Sequence, residues 1–482
     1  MEFKTIKNIK DAKIEGLIYG IYSQGEDKKP LLPDWIDKKA PELKDFFANL
    51  AQMVSFSNLE IEGQKIRKVI LVGLGEKNKS NQLSFCSAYA NAFVGLKQLN
   101  YEKIGLFLEN EKFAKALSSQ IEMANYNFSK YKEKKEQKTE IKEVYFISDK
   151  DITKEIEIGK IFAQAANYTR ELQNEPPNLA NPEYIAQKAK ELASKNNLEI
   201  FIIKGEELKQ KNLNALYWVG RGSAVPPHYV AILYKGNKNS KEIDLAIVGK
   251  GITFDSGGLS LKPSEYMEDM KFDKSGACAV LGIMEGISKL KLNKNVLGVL
   301  ALAENLPSGS AYKPGDIIKA YNNKTIEVLN TDAEGRVALA DALAYTEDKF
   351  KPKIMIDFAT LTGACVVALG DIAAGILSED KELTKKLIEA GERVNERLWE
   401  LPTWEEYHEK VKSQIADVKN IGEKGMAGAT AGYSFLRNFV NKARWAHIDI
   451  AGVAAYEKPK FGLEAGATGF GVRLTLEYLT NS

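Results

Sequence analysis

The chain predicts an α/β protein of two domains, a smaller one at the N-terminus and a larger one after it. Three observations carry this expectation. At 482 residues the chain exceeds one typical core, and a 44% hydrophobic content is ample for two. Strand-like and helix-like segments alternate along its length. The run Asp244-Leu245-Ala246-Ile247-Val248-Gly249 is almost wholly apolar, as expected of a strand buried on both faces.

In the first third, strands are expected near Gly16–Ile21, Lys68–Val72, Ile104–Leu108 and Val144–Ile147, with amphipathic segments between them. Residues 1–165 thereby read as an α/β domain of their own. Val72-Gly73-Leu74-Gly75-Glu76 lacks the third glycine that a dinucleotide-binding loop needs and reads instead as a tight turn. The stretch Ser129–Glu136 mixes lysine and glutamate and reads as solvated surface. A helical segment from about Glu155 to Leu172 leads to a turn at Pro176-Pro177. The boundary is placed near residue 165, so the second domain spans 166–482.

In the second domain the apolar strand is expected to deliver Lys250 and Asp255 to the turn just beyond its end. Leu261-Lys262-Pro263 and Met270-Lys271-Phe272-Asp273-Lys274-Ser275-Gly276-Ala277 then add polar positions ahead of a Gly/Ala-rich helix start, where glycine lets the backbone approach something closely. Further on, Thr325–Leu329 alternates like a strand and Val337–Tyr345 has a helical period. Between them lies Asn330-Thr331-Asp332-Ala333-Glu334-Gly335-Arg336, two carboxylates and a guanidinium in a strand-to-helix turn. Such turns, at the carboxyl ends of strands in open α/β sheets, are where ligands bind. Taken by themselves these acids equally suit a helix N-terminus, whose macrodipole they complement. Lys250, taken by itself, reads first as an ordinary loop cation or a salt-bridge partner of the acids.

Other chemistries find little support. The three histidines, His228, His408 and His447, form no His-Glu-x-x-His zinc motif, and none lies in the acidic segments. His447, between an apolar helix-like stretch and an expected strand, reads as structural. Neither a Gly-x-Ser-x-Gly elbow nor a Walker loop occurs. A formal charge of +2 and a pI of about 8.0 call for no polyanionic partner. Cys86, Cys278 and Cys365 are odd in number and widely spaced among apolar neighbours, which suggests buried thiols in a reducing compartment. The N-terminus has no apolar signal core, and the most hydrophobic region, Ile354–Leu377, is interrupted by Asp357 and Asp371. A cytoplasmic protein without a membrane partner is expected.

The heptapeptide Asn330–Arg336, the run Val248–Gly258, the segment Met270–Ala277 and Ala359-Thr360-Leu361-Thr362-Gly363-Ala364 together resemble the leucyl aminopeptidase family of hexameric two-metal exopeptidases. The resemblance extends through Asn174–Asn178, Ala311–Asp316 and Trp445–Gly452, covering roughly residues 165 to 475. The heptapeptide is that family's signature and is long, contiguous and specific.

The resemblance implies a catalytic α/β/α domain with a central mixed sheet, a homohexamer, and two divalent ions per subunit, manganese or zinc. Two close cations need bridging carboxylates to offset their repulsion. By the resemblance, Asp255 and Glu334 bridge both ions, Asp332 completes one site, and Asp273 with Lys250 completes the other. A lysine ligand must be a neutral amine, so Lys250 has to lose its proton against the field of the metal. Lys262 is then expected to polarise the scissile carbonyl and Arg336 to hold a bicarbonate ion as general base, every nearby carboxylate being committed to metal. The Leu361 carbonyl is expected beside the substrate backbone. Met270, Thr360, Gly363 and Ala451 are expected to line the pocket for the first side chain, with Asn330 also on the substrate side.

The implied activity is release of N-terminal amino acids, leucine and other apolar residues foremost, from peptide substrates. Two alternatives stay open. A carboxylate-bridged metal pair also suits a two-metal phosphoester hydrolase. Some members of the family bind DNA as regulators, although near-neutral charge disfavours strong phosphate binding here.

Overall fold

Two large sheets organise residues 1–25, 28–133 and 140–481, which are described by a computed structural model. The chain divides into two units, one of residues 1–164 with 457–465 and one of residues 165–456 with 466–482.

The first unit is built on strands β1 (Glu2–Ile6), β2 (Gly16–Ser23), β3 (Met53–Ile61), β4 (Gln64–Glu76), β5 (Lys103–Phe107) and β6 (Glu143–Ile147). Their spatial order is β1-β6-β5-β2-β4-β3, parallel throughout except for the β3–β4 hairpin. One face is covered by the helices Gln82–Lys97 and Ala114–Asn125, the other by apolar side chains such as Ile36, Leu43 and Phe46 from the segment ahead of β3. The segment Glu457–Ala465 groups with this unit, so a single cut near residue 165 does not describe the division. Its Phe461 carbonyl accepts a hydrogen bond from Gln120 at 2.8 Å, and Gly462 fits against Ala90, where a Cβ would come within 2.4 Å.

The expected tight turn at Val72–Glu76 is instead the end of β4. Gly73 is a strand residue whose missing side chain admits the carbonyl of Asn49, which a Cβ would meet at 2.0 Å. Here glycine marks a close backbone crossing rather than a turn. Strands β1 and β3 have no counterpart in the sequence reading; both are largely half-buried or exposed and lack a strong apolar run. Of the mixed-charge stretch Ser129–Glu136, Lys130–Glu133 are exposed, and Lys134, Lys135 and Glu136 lie outside the described residues.

The second unit carries β7 (Glu199–Lys204), β8 (His228–Lys235), β9 (Leu245–Asp255), β10 (Asn295–Asn305), β11 (Ile317–Lys319), β12 (Thr325–Glu327), β13 (Ile354–Ala359), β14 (Ala374–Leu377), β15 (Leu398–Glu400), β16 (Val418–Lys419) and β17 (Arg444–Asp449). Its main sheet has the order β15-β14-β17-β13-β9-β10-β8-β7. The central four strands, β17, β13, β9 and β10, run parallel, while β8 and β14 pair antiparallel to their inner neighbours. This is the mixed sheet of an α/β/α layer structure. The helices Ser275–Leu290 and Glu334–Phe350 both pack on β9 and β10, and both are buried along most of their length.

Strand β9 is longer than expected, so Lys250 and Asp255 lie within it and not in a following turn. β13 pairs with β9 as far as Gly249, where the apolar pattern stops, and β10 alone holds the strand extended beyond it. Likewise Glu334, Gly335 and Arg336 form the first turn of a helix and only Asp332 sits in the turn proper. His447 is inside β17, not ahead of a strand. All three cysteines are buried. No helix among the described residues is long and apolar enough to cross a membrane.

Candidate metal centre

The parallel strands bring polar residues to one edge of the sheet in register. Asp255 at the end of β9 faces Asn305 at the end of β10, and Ala359 at the end of β13 faces Asp449 at the end of β17. Within β9 side chains alternate, and Ala246, Val248 and Ile252 join the core shared with the helix Glu334–Phe350. Lys250 falls in the same phase and reaches that helix's first turn. Its Nζ lies 2.7 Å from Asp273 Oδ2 and 2.8 Å from Glu334 Oε1, and it donates to the Thr360 carbonyl at 2.8 Å.

Two glycines make this approach feasible. A Cβ at Gly335 would lie 2.3 Å from Lys250 Cε, so the lysine stem passes where any other residue would project. A Cβ at Gly276 would lie 2.0 Å from the Phe358 carbonyl, and its absence lets the helix Ser275–Leu290 start hard against the sheet. Asp273 is in the 3₁₀ segment Glu268–Lys274 just ahead of that helix, where it accepts from Thr360 Oγ1 at 2.7 Å.

A second cation, Lys262, lies 2.9 Å from Asp255 Oδ2 and also pairs with Asp332 Oδ1. The turn carrying Asp332 is pinned by its neighbours. Thr331 donates its hydroxyl to the Gly257 carbonyl at 2.7 Å, and its own carbonyl accepts from Asn305 Nδ2 and Tyr312 Oη, each at 2.9 Å. Asn305 Nδ2 also donates to Asp255 Oδ1 at 2.8 Å, which couples the two acidic segments through one amide. Asn420, fully buried, closes the other side: its Oδ1 accepts from the backbone of Leu329 at 2.8 Å and Asn330 at 3.3 Å, and its Nδ2 donates to the Asn330 carbonyl at 2.6 Å.

The electrostatics are those of a crowded acidic site. Burial, reinforced by Glu334, pushes Asp255 up to about 7. Asp273 and Glu334 are likewise raised, burial again outweighing the neighbouring lysine. Burial drives Lys250 down, but Asp273, Glu334 and Asp255 outweigh it and hold the amine above its ordinary value. Lys262 follows the same pattern beside Asp255 and Asp332. Lys250 is therefore an ammonium while protons are the only cations present.

Do these residues suit divalent ions? One oxygen from each of Asp255, Asp273 and Glu334 lies within 4.8 Å of the others, so one cation could touch all three. Asp273 Oδ2, Asp332 Oδ1 and Glu334 Oε1 are buried without an aligned hydrogen-bond donor and meet only lysine ammonium groups as ion pairs. Four carboxylates share two ammonium groups, a local deficit of positive charge. Hard oxygen donors in this number suit manganese, magnesium or zinc. The donor set fits the expected metal.

Arg336 is buried and donates Nη1 to the Asn420 carbonyl at 3.1 Å, while its Nε meets no acceptor. Burial lowers its pKa against the pull of Glu334 and Asp449. The remaining expected residues surround the acids. Thr360 touches both Lys250 and Asp273 directly. Asn330 caps its own turn, accepting from Asp332 N at 2.8 Å. Leu361 and Ala451 each donate a backbone N–H to Asp449 Oδ1 at 3.1 Å. Gly363 begins the helix Gly363–Leu369, and Met270 is half-buried in the 3₁₀ segment with Asp273. His447 is fully buried, its Nδ1 2.6 Å from Asp357 Oδ1, whose other oxygen accepts from Trp445 Nε1 at 2.8 Å.

Sequence reasoning missed Asn305, Asn420 and Asp449 as supporting residues. For Asn305 and Asp449 the usable signal is a polar residue ending an apolar strand, where burial obliges it to find partners; Asn420, after the two-residue strand Val418–Lys419, carries no such signal.

The chain is similar to known proteins over nearly its whole length. The description "Cytosol aminopeptidase family, catalytic domain" matches residues 167–476, and "Cytosol aminopeptidase family, N-terminal domain" matches residues 38–135. A probable cytosol aminopeptidase of Aquifex aeolicus is 42% identical, covering 99% of this chain and 98% of its own. One of Geotalea uraniireducens is 43% identical over 86% of this chain and 85% of its own. Among solved structures, "Bottromycin maturation enzyme BotP in complex with Mn" superposes with a TM-score of 0.86 at 29% identity, covering 97% of this chain and 99% of that one. Neither the phosphoester-hydrolase nor the DNA-binding alternative is favoured by these matches. With family matches over both parts of the chain and a relative aligned over nearly all of it, the chain belongs to the cytosol aminopeptidase family and is a metal-dependent aminopeptidase, a hydrolase.

Proposed function

We propose that the chain removes N-terminal leucine and other apolar residues from peptides, using two divalent ions held by Lys250, Asp255, Asp273, Asp332 and Glu334. The observation that carries this reading is the convergence of buried carboxylate oxygens around two lysines at the carboxyl edge of the sheet. Asp255 and Glu334, central in that cluster, suit bridging positions. Asp332 suits one ion, and Asp273 with Lys250 suits the other. Manganese is the first ion to test, given its presence in the BotP structure; zinc is the alternative. When bound, the ions supply an acidified water and a Lewis acid for the carbonyl oxygen.

The chain's own groups do the rest. Lys262 brings a cation to the edge where the carbonyl oxygen gains charge as its carbon becomes tetrahedral. A preorganised cation at that point lowers the barrier more than it tightens substrate binding. Arg336 retains an unpaired buried Nε, a donor suited to a small oxyanion, and bicarbonate held there would supply the general base that the committed carboxylates do not. Thr360, Leu361 and Asn330 orient the substrate backbone, while Met270, Thr360, Gly363 and Ala451 offer apolar or small surfaces to the first side chain. Family membership supports a homohexamer, a cytoplasmic setting and residues 1–165 as the domain that serves assembly.

A manganese titration of metal-free protein, followed by calorimetry and by hydrolysis of leucyl p-nitroanilide, tests this reading. Two ions per chain are expected, with activity saturating as both bind. Because Lys250 is held protonated and must become a neutral ligand, binding should release about one proton above pH 7. Below pH 7 the release should grow, because Asp255, at about 7, is then also protonated in the metal-free site. Affinity thus falls as pH falls. A single ion per chain, or affinity independent of pH, would contradict the assignment.

A further inference from the structure

We propose that Asp449 is a positioning residue that builds the substrate-facing side of the site, an inference resting on the reading that residues 360–363 and 451 contact the substrate. Asp449 ends β17 as a fully buried carboxylate. The carboxylate's hydrogen bonds go to neighbouring loops. Oδ1 accepts the backbone N–H of Leu361 and of Ala451, both at 3.1 Å, and Oδ2 accepts the Thr362 hydroxyl at 2.7 Å. Thr362 Oγ1 in turn accepts from Cys365 N at 3.1 Å, capping the helix that begins at Gly363.

One carboxylate therefore ties the loop after β13 to the loop after β17. Those loops hold Thr360, Leu361, Gly363 and Ala451, four of the six residues expected to meet the substrate. The same loop also reaches the metal side, because Thr360 donates to Asp273 and its carbonyl accepts from Lys250. Asp449 thereby sets the distance between the side-chain pocket and the metal ligands without touching a ligand carboxylate itself. Without it, two part-buried N–H groups and a buried hydroxyl lose their acceptor, and the loops shift to find others.

A loop that only supported the fold would affect every substrate alike through the amount of active enzyme. A positioning role changes the ratio between substrates. The test uses manganese-loaded full-length protein with Asp449→Ala, Asp449→Asn and Thr362→Val, measuring kcat/KM for leucyl and alanyl p-nitroanilides and manganese bound per chain. Asp449→Ala should lower leucyl kcat/KM on the order of a hundredfold, as expected for misplacement by about an ångström. The leucyl-to-alanyl ratio should shift about tenfold, the scale of a changed apolar contact, with bound manganese unchanged. Thr362→Val should shift the ratio the same way but less, and decides the matter should Asp449→Ala fail to fold. Asp449→Asn should recover most of the ratio, since its amide oxygen still accepts from Leu361 and Ala451 while its NH₂ donates to Thr362. A wild-type ratio in both Asp449→Ala and Thr362→Val, or loss of manganese from Asp449→Ala, overturns the proposal. Asp332→Ala separates the two levels: full activity there removes the metal-site reading, whereas loss there with unchanged ratios in the Asp449 and Thr362 variants removes this proposal alone.

Discussion

Glu334→Gln is expected to lower kcat/KM by on the order of a thousandfold or more, beyond the ten- to hundredfold typical of losing a residue that merely supports a ligand. The carboxylate is fully buried, faces Lys250 at 2.8 Å, and contributes an oxygen to the only three-acid cluster of metal-binding geometry among the described residues. An amide of the same shape keeps the packing and removes the charge that a cation needs. Stability should move the other way. Glu334 is raised above the ordinary carboxylate value, so its ionised form weighs against the metal-free fold at pH values above its unfolded pKa. Neutral glutamine relieves that burden, and thermal unfolding of the metal-free variant should occur at or above the wild-type temperature while stabilisation by manganese is lost. Low activity with unchanged manganese stabilisation would place Glu334 outside the metal site.

The second large effect is expected from Lys262→Met, which keeps the apolar stem of the side chain as far as Cε but removes the ammonium. Loss of one preorganised donor to a developing oxyanion costs about a hundred- to a thousandfold in kcat, roughly 3 to 4 kcal/mol. The interaction matters most in the transition state, so kcat should fall with little change in KM, and bound manganese should persist. A raised KM at constant kcat would instead assign Lys262 to ground-state binding. Its present pairing with Asp255 and Asp332 is compatible with either role, and the kinetic split distinguishes them.

Much of this centre is legible in the residues because its parts are short, contiguous and placed after strong apolar runs. The heptapeptide Asn330–Arg336 and the run through Lys250 and Asp255 announce a strand edge rich in acids, and the structure brings both to one place. Two features escape local reading. Strand ends depend on pairing, so β9 continues along β10 through Lys250 and Asp255 where the apolar pattern stops, and Gly73 stays in a strand because another backbone crosses it. Supporting side chains depend on contacts far along the chain. Asn420 holds Asn330 from 90 positions away, and Asp449 holds Leu361 from 88. No periodicity or spacing links such pairs, and only the requirement that buried polar groups find partners hints at them.

The most direct test of the central claim, that this acidic centre makes the chain a metal-dependent exopeptidase reading a free amine, is a comparison of leucyl p-nitroanilide with its N-acetyl form under saturating manganese. Rapid hydrolysis of the free-amine substrate, none of the acetylated one, and loss of activity on chelation of the metal are expected. Equal hydrolysis of both substrates, or turnover that survives metal removal, would contradict it.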